Sequence, residues 1–140
     1  PVLPGMSAAE HDFRELNFHS DARRYETGTM AYSLFYAWVA GLDLLQEVGV
    51  DNILDRVLEL TDRIIAGLRS KDIAIVSPVE SESERSAIVA FTLGTEDANR
   101  ALHDHLKTNN ILTALRDGHV RVSPNFFNTA NEIDEFIDLL

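Results

Sequence analysis

The chain has 140 residues, and its 23 acidic residues outnumber its 12 lysines and arginines, which gives a formal net charge of −11. Hydrophobic residues make up 45% of the sequence, a proportion typical of a single folded domain with a core of its own. The acidic balance argues against nucleic acids and anionic membranes as partners, because phosphates are bound through lysine and arginine.

Cysteine is absent from the sequence, which excludes disulfides, thiolate nucleophiles and zinc sites built on sulfur. No apolar run approaches the roughly 18 residues that a membrane span needs, and the N-terminus lacks the pattern of a signal peptide. We therefore expect a cytoplasmic protein without a membrane partner. The chain begins with Pro1 and has no initiator Met, so we expect it to be cut from something longer.

Two helices are predicted in the first half of the chain. The first follows the turn Thr27-Gly28-Thr29, carries apolar residues at steps of three and four from Leu34 to Val48, and ends at Gly49. The second runs from about Asp51, a candidate N-cap, to Leu68. The very short link between them predicts a tight helical hairpin.

Short strands then alternate with a third helix. Residues 73–76 form a β-branched run, and the nearly all-apolar residues 87–93 predict a central strand. Thr95 is the predicted N-cap of a helix from about Glu96 to Lys107.

The last segment is predicted to be a β-hairpin followed by a helix. Strands at 111–115 and 119–122 flank Asp117-Gly118, a strong signal for a tight turn. Thr129, with Glu132 three residues later, predicts a capping box at the start of the final helix. The whole order predicts an α+β fold, with a small antiparallel sheet of about four short strands and helices on one face.

Metal binding and nucleophilic catalysis have no support in the sequence. His103 and His105 are two residues apart, which puts them on different faces of a helix, and no His-Glu-x-x-His spacing occurs. There is also no Gly-x-Ser-x-Gly motif. We predict no metal site and no catalytic residue in this chain.

Two features remain as candidate binding elements, each with a plainer alternative. The turn Thr27-Gly28-Thr29 precedes a helix whose free N–H groups favour an anion, although such a turn also simply begins a helix. Arg121 alternates with Val120 and Val122, so it shares a strand face with His119 and not with the valines. It can form a bidentate pair with a carboxylate, or it can be a solvated edge charge.

The segment Arg24-Tyr25-Glu26-Thr27-Gly28-Thr29 before a long helix resembles a motif of the class-V aminotransferase-like pyridoxal-phosphate enzymes. This family includes cysteine desulfurases, kynureninases and isopenicillin-N epimerase-like proteins. Residues 120–129 resemble the final motif of the same family, in which an arginine and a serine precede an aromatic residue, asparagine and threonine. The resemblance covers residues 21–140, and residues 1–20 are similar to the end of a preceding domain.

The resemblance implies the C-terminal small domain of a fold-type-I enzyme, at residues 21–140, with residues 1–20 as an arm left from the large domain. It implies that Gly28 and Thr29 contact the phosphate of pyridoxal phosphate in the neighbouring subunit of a homodimer. It further implies that Arg121 binds the α-carboxylate of an amino-acid substrate. The large cofactor-binding domain of the same chain would then be the main partner.

The sequence departs from the family pattern in two places. The family's Schiff-base lysine has no counterpart, since Lys71 and Lys107 do not match its surroundings, so we expect this chain alone to bind no cofactor covalently and to have no turnover. The place of the desulfurase cysteine is taken by residues 116–119, which favours an aminotransferase, lyase or epimerase-like parent. The alternative is a non-catalytic interaction module that shares the fold and uses the apolar first helix, with Phe35, Tyr36 and Trp38, as its surface.

Overall fold

The computed structural model describes residues 18–25 and 31–140 of the chain. It divides into two compact units, Pro1–Glu47 and Val48–Leu140, and each is described here by itself. The predicted arm at residues 1–20 lies outside the described residues except for its last three positions.

The first unit contains a 3-10 turn, Ala22–Tyr25, and helix α1, Tyr32–Val48, whose last residue belongs to the second unit. The helix confirms the predicted element, and Gly49 follows it with φ 89°, the left-handed backbone expected of a residue that ends a helix. None of the residues of α1 is buried, so its apolar side chains, including Trp38 at 62% exposure, face outward.

Helix α2, Val50–Ser70, opens the second unit and is longer at both ends than the sequence predicts. The prediction that Asp51 is its N-cap was wrong: Gly49 is the N-cap, and no side chain bonds to the first N–H groups. Asp51 lies in the first turn instead, where its negative charge interacts favourably with the positive end of the helix dipole.

Four strands form one antiparallel sheet in the order β1-β2-β4-β3. They are β1 (Ala74–Ile75), β2 (Val89–Thr92), β3 (Ala114–Arg116) and β4 (His119–Val122). β2 is central, as its apolar sequence predicts. A second 3-10 turn, Glu82–Glu84, lies in the charged connection between β1 and β2.

Helices α3, Glu96–Thr108, and α4, Ala130–Asp138, begin at the two predicted caps. The hydroxyl of Thr95 accepts a hydrogen bond from the N–H of Ala98. Thr129 and Glu132 form both halves of the predicted capping box. These local signals were therefore sufficient to place both helix starts.

The core lies between one face of the sheet and the three helices of the second unit. Val89, Phe91 and Val120 point into it from β2 and β4, and each is at most 1% exposed. Buried side chains from all three helices meet these strands: Leu60, Ile64 and Leu68 from α2, Leu102 and Leu106 from α3, and Ile133 and Phe136 from α4. The alternate strand positions point to the other face, so the α+β prediction with helices on one side of the sheet is confirmed.

Helices α2 and α4 approach each other closely. A Cβ built on Gly67 would lie 2.6 Å from Cγ1 and Cδ1 of Ile137, so the glycine lets the two helices meet. Beside this contact, Nε and Nη2 of Arg63 donate to the two carboxylate oxygens of Asp134, a bidentate bridge between the same helices.

Candidate functional site

Arg121 lies in the middle of β4, on the sheet face that the three helices of the second unit leave open. Its Cα pairs with that of Ala90 on β2 and with that of Ala114 on β3. Val120 and Val122, its neighbours along the strand, point to the core face, as the alternation in the sequence predicts.

The two cross-strand neighbours of Arg121 are both alanine, which leaves room for a long side chain over the sheet. A cleft of ≈ 320 Å³ opens there, and Arg121 forms part of its wall. The other lining residues are Ile88, Leu112, Thr113, Ala114, Arg116 and Ser123. The cleft thus contains two arginines and no acidic side chain, in a chain where acidic residues outnumber basic ones by 23 to 12.

Neither arginine of the cleft has an ion pair or a side-chain hydrogen bond to the part of the chain that the structure describes. The other five arginines of the second unit are each paired with a carboxylate: Arg56, Arg63, Arg69, Arg85 and Arg100. Arg121 is half-buried and Arg116 is exposed. A guanidinium with five N–H donors and no partner is suited to bind an anion from outside. The role of Arg121 as a carboxylate ligand stays a prediction that this geometry allows.

A buried amide fixes the hairpin that carries these arginines. The side chain of Asn99 on α3 donates to the carbonyl of Gly118 at 2.7 Å and to Oγ1 of Thr92 at 2.8 Å, and it accepts from the N–H of Leu93 at 2.7 Å. Asp117 and Gly118 form the turn with φ 49° and 74°, the pair of positive angles that a tight two-residue hairpin requires.

Neither Asn99 nor Arg116 is among the residues predicted from the sequence. Asn99 stands three residues before Leu102 and seven before Leu106, on the inward face of α3, and a polar residue at such a position signals a buried hydrogen-bonding role. Arg116 is two residues from Ala114 on β3, so the period of the strand puts it on the same face as Arg121. Both signals were present in the pattern of the sequence.

The predicted phosphate contact cannot be placed, because Gly28 and Thr29 lie outside the described residues. Only the start of that motif is described: the guanidinium carbon of Arg24 lies 5.6 Å from the ring centroid of Tyr25 and 5.8 Å from that of Phe18. The assignment of Gly28 and Thr29 to a cofactor phosphate stays a prediction.

The described residues do not fit pyridoxal phosphate as a covalently held group. The cofactor needs a lysine in its binding site, and both Lys71 and Lys107 are exposed, one beyond the end of α2 and the other in the last turn of α3. Neither lysine lines the cleft. The cleft in the described part of the chain therefore has no lysine to which the cofactor could attach.

No group of three or more potential metal ligands occurs within residues 18–25 and 31–140. His103 is used structurally, since its Nδ1 lies 2.9 Å from the hydroxyl of Thr113. In the same residues, no helix combines the length and the hydrophobicity that crossing a membrane requires.

Among the described residues, no group with a shifted pKa lines the cleft. Hydrogen bonds from Arg23 lower the pKa of Asp21 to about 2, and the paired guanidinium of Arg63 lowers the pKa of Asp134. The pKa of Glu132 is lowered because the N–H and the hydroxyl of Thr129 both donate to its carboxylate. Each of these shifts belongs to an ion pair or a helix cap, so none marks a group that exchanges protons with a substrate.

Comparison with known proteins agrees with the resemblance in the sequence. The chain is 28% identical over 117 residues to an uncharacterized aminotransferase of Bacillus subtilis, YcbU, a match over 84% of this chain and 30% of that protein. The fold is similar to that of a cysteine desulfurase from Thermococcus onnurineus, with a TM-score of 0.78, 17% identity, and coverage of 99% of this chain and 38% of that one.

A C-DES variant with glycine covalently linked to its pyridoxal-phosphate cofactor is also similar in fold, with a TM-score of 0.73 and 16% identity over 96% of this chain and 35% of that one. The chain thus spans about a third of the length of the proteins it matches. The model of the family Aminotransferase class-V matches residues 1–136. This chain therefore belongs to the class-V aminotransferase family.

Proposed function

We propose that this chain is the C-terminal small domain of a pyridoxal-phosphate enzyme that acts on an amino acid, and that Arg121 binds the α-carboxylate of the substrate. The observation that carries the proposal is the free guanidinium of Arg121 at a cleft on the open face of the sheet. Membership of the class-V family supplies the enzyme class, and the match to about a third of its relatives' length supports a larger parent.

The physical case for Arg121 rests on its surroundings. A planar guanidinium matches the two oxygens of a carboxylate and forms two parallel charge-assisted hydrogen bonds with it. Alanines on both neighbouring strands keep the approach open, and no acidic side chain of the cleft competes for the charge. An amino-acid substrate would thereby be oriented, which is the contribution that a positioning arginine makes to catalysis.

The cofactor would be held by the remainder of the parent enzyme. Pyridoxal phosphate supplies the electron sink for chemistry at the α-carbon of an amino acid. From this chain we assign only Gly28 and Thr29 to its phosphate, in the adjacent subunit of a homodimer, on the strength of the sequence motif. The proposed domain is residues 21–140, and residues 1–20 would be the end of the large domain.

The test is Arg121→Ala in the complete parent enzyme. We expect the apparent affinity for the amino-acid substrate to fall about 10- to 100-fold, because a charge-assisted hydrogen bond contributes ~1.5–3 kcal/mol. Substrate binding is measured by calorimetric titration. Arg100→Ala, which removes an exposed arginine paired with Glu96 on α3, is the matched control. Unchanged affinity in the Arg121 variant would show that the assigned role is wrong.

A further inference from the structure

The second arginine of the cleft, Arg116, has no role in the function proposed above. It lies on β3, and its Cα is paired with that of His119 on β4. Because Arg121 pairs with Ala114, Arg116 occupies the diagonal position on the same face of the sheet. Diagonal residues on an antiparallel pair lie about 7–8 Å apart, so both side chains can reach one small ligand.

Two guanidinium groups at this separation repel each other unless an anion lies between or beside them. Here the part of the chain that the structure describes gives neither of them a carboxylate partner, and Asp117, next to Arg116 in the turn, pairs with neither. The five other arginines of the second unit are each paired with a carboxylate of the chain. In this unit, the arginines without a carboxylate partner are therefore the two that line the cleft.

A single carboxylate is satisfied by one bidentate arginine. If Arg121 binds the α-carboxylate, Arg116 is free for a second anionic group on the same molecule. The cleft volume of ≈ 320 Å³ is at the small end of ligand pockets, which suits a compact polar molecule better than an extended one.

We propose that the cleft selects an amino acid whose side chain ends in an acid group, with Arg116 binding that group and Arg121 binding the α-carboxylate. The proposal rests on the function proposed above and deepens it by naming the substrate class. Arg116 is then a specificity-determining residue. It raises the affinity for acidic amino acids and does not change the affinity for amino acids with an uncharged side chain.

The test compares Arg116→Gln, Arg121→Gln and Arg100→Gln in the complete parent enzyme. Dissociation constants are measured by calorimetric titration for L-aspartate, L-alanine, L-phosphoserine and succinate. Arg100→Gln removes the same charge from α3, where Arg100 pairs with Glu96, and reports the effect of net charge alone. A far-UV spectrum and a melting curve show that each variant is folded.

We expect Arg116→Gln to weaken the binding of L-aspartate about 10- to 100-fold, because the side-chain acid loses its partner. The dissociation constant for L-alanine should change less than about 3-fold. Arg121→Gln should weaken both amino acids. Arg116→Lys should restore part of the aspartate affinity, since it restores the charge without the planar fork. The ratio of L-phosphoserine to L-aspartate binding then distinguishes a phosphate from a carboxylate as the preferred side-chain anion.

Two results would overturn the proposal, and they are distinguishable. In the first result, Arg116→Gln weakens the binding of aspartate and alanine equally, or weakens neither, while Arg121→Gln still weakens both. This result would contradict the role of Arg116 as a second anion site and would leave the α-carboxylate role of Arg121 standing. Unchanged binding of every ligand in Arg121→Gln would overturn the proposed function itself.

Discussion

Asn99 illustrates how one buried polar residue can hold a site that it does not line. Its amide is 1% exposed and makes three hydrogen bonds, which join helix α3 to the end of β2 and to the turn between β3 and β4. Its partners are the side chain of Thr92, the last residue of β2, and backbone groups of Leu93 and Gly118, which lie outside the strands. The position of the hairpin that carries Arg116 and Arg121 therefore depends on a side chain of the neighbouring helix.

Replacing Asn99 with alanine should destabilise the protein by about 2–4 kcal/mol, because it leaves the Leu93 N–H and the Gly118 carbonyl without their partners. Urea unfolding followed by circular dichroism measures the effect. The matched control is Asn109→Ala, which removes an exposed amide that donates to the carbonyl of His105 and should cost less than about 1 kcal/mol. Equal losses in the two variants would contradict the structural role of Asn99.

At the scale of elements, the helix starts and the hairpin turn were predictable because each depends on a few adjacent residues. Thr95, the Thr129–Glu132 box and Asp117-Gly118 all act through local hydrogen bonds or backbone angles, and the structure confirms them. The start of α2 was not predictable in this way, since Gly49 serves both as the end of α1 and as the N-cap of α2, and Asp51 is displaced into the first turn.

The cleft was predictable only in part, for a related reason. Alternation along β4 was enough to separate Arg121 from the two valines beside it. The pairing of Arg121 with Ala114 and its diagonal relation to Arg116 follow from the two-residue turn, because the turn fixes the register of β3 and β4. The pairing of Arg121 with Ala90 depends on the register between β2 and β4, which tertiary packing sets and a single sequence leaves open.

The cap of α4 makes a prediction about acid stability. The folded state lowers the pKa of Glu132 from its ordinary value of 4.5, because the N–H and the hydroxyl of Thr129 donate to the carboxylate. A group with a lowered folded pKa contributes stability that is complete above the unfolded pKa and is lost as pH falls through the folded pKa. We therefore expect the cap to weaken below about pH 4.5.

The variant Glu132→Gln isolates this effect, because glutamine keeps the capping-box geometry and cannot titrate. Unfolding free energies measured by urea titration between pH 7 and pH 3 should fall less steeply for Glu132→Gln than for the unmodified chain. Glu135→Gln, on the same helix and without a hydrogen bond to any described residue, is the charge-matched control. Parallel curves for the chain and Glu132→Gln would show that the cap does not contribute to the acid transition.

The contact between α2 and α4 makes a second prediction at this scale. Alanine at position 67 would bring its Cβ to 2.6 Å from two atoms of Ile137, so the helices must separate or Ile137 must move. We expect Gly67→Ala to destabilise the protein by about 1–3 kcal/mol in thermal or urea unfolding, despite the higher helix propensity of alanine.

Gly41→Ala is the matched control for that substitution. Gly41 lies inside α1, and a Cβ there meets nothing within 4 Å, so only the gain in propensity should remain, about 0.5–1 kcal/mol of stabilisation. A stabilised Gly67→Ala variant would show that the helices relax without cost. The double variant Gly67→Ala with Ile137→Ala should recover part of the loss if the clash is the cause.

At the scale of the whole molecule, the apolar side chains of helix α1 differ in exposure from those of the second unit. Val48–Leu140 has an ordinary core, whereas none of the residues of α1 is buried, and Tyr36 is 80% and Leu34 68% exposed. Contiguous apolar surface of this kind marks a site of interaction. In the proposed parent enzyme, this surface could be buried by the large domain of the same chain or by the second subunit of a homodimer.

Trp38 makes this prediction measurable, because it is the only tryptophan of the chain and is 62% exposed. We expect its fluorescence in the isolated chain to have the red-shifted emission and strong acrylamide quenching of a solvated indole. In the complete parent enzyme, the difference spectrum between the enzyme and its Trp38→Phe variant should be blue-shifted and protected from quenching, because burial of α1 removes the indole from water.

Dilution of the enzyme below its subunit dissociation constant distinguishes the two partners of α1. A return of the red shift assigns α1 to the subunit interface, and no change assigns it to the large domain. A red-shifted, easily quenched Trp38 at every concentration of the complete enzyme would contradict both and favour an external partner for this helix.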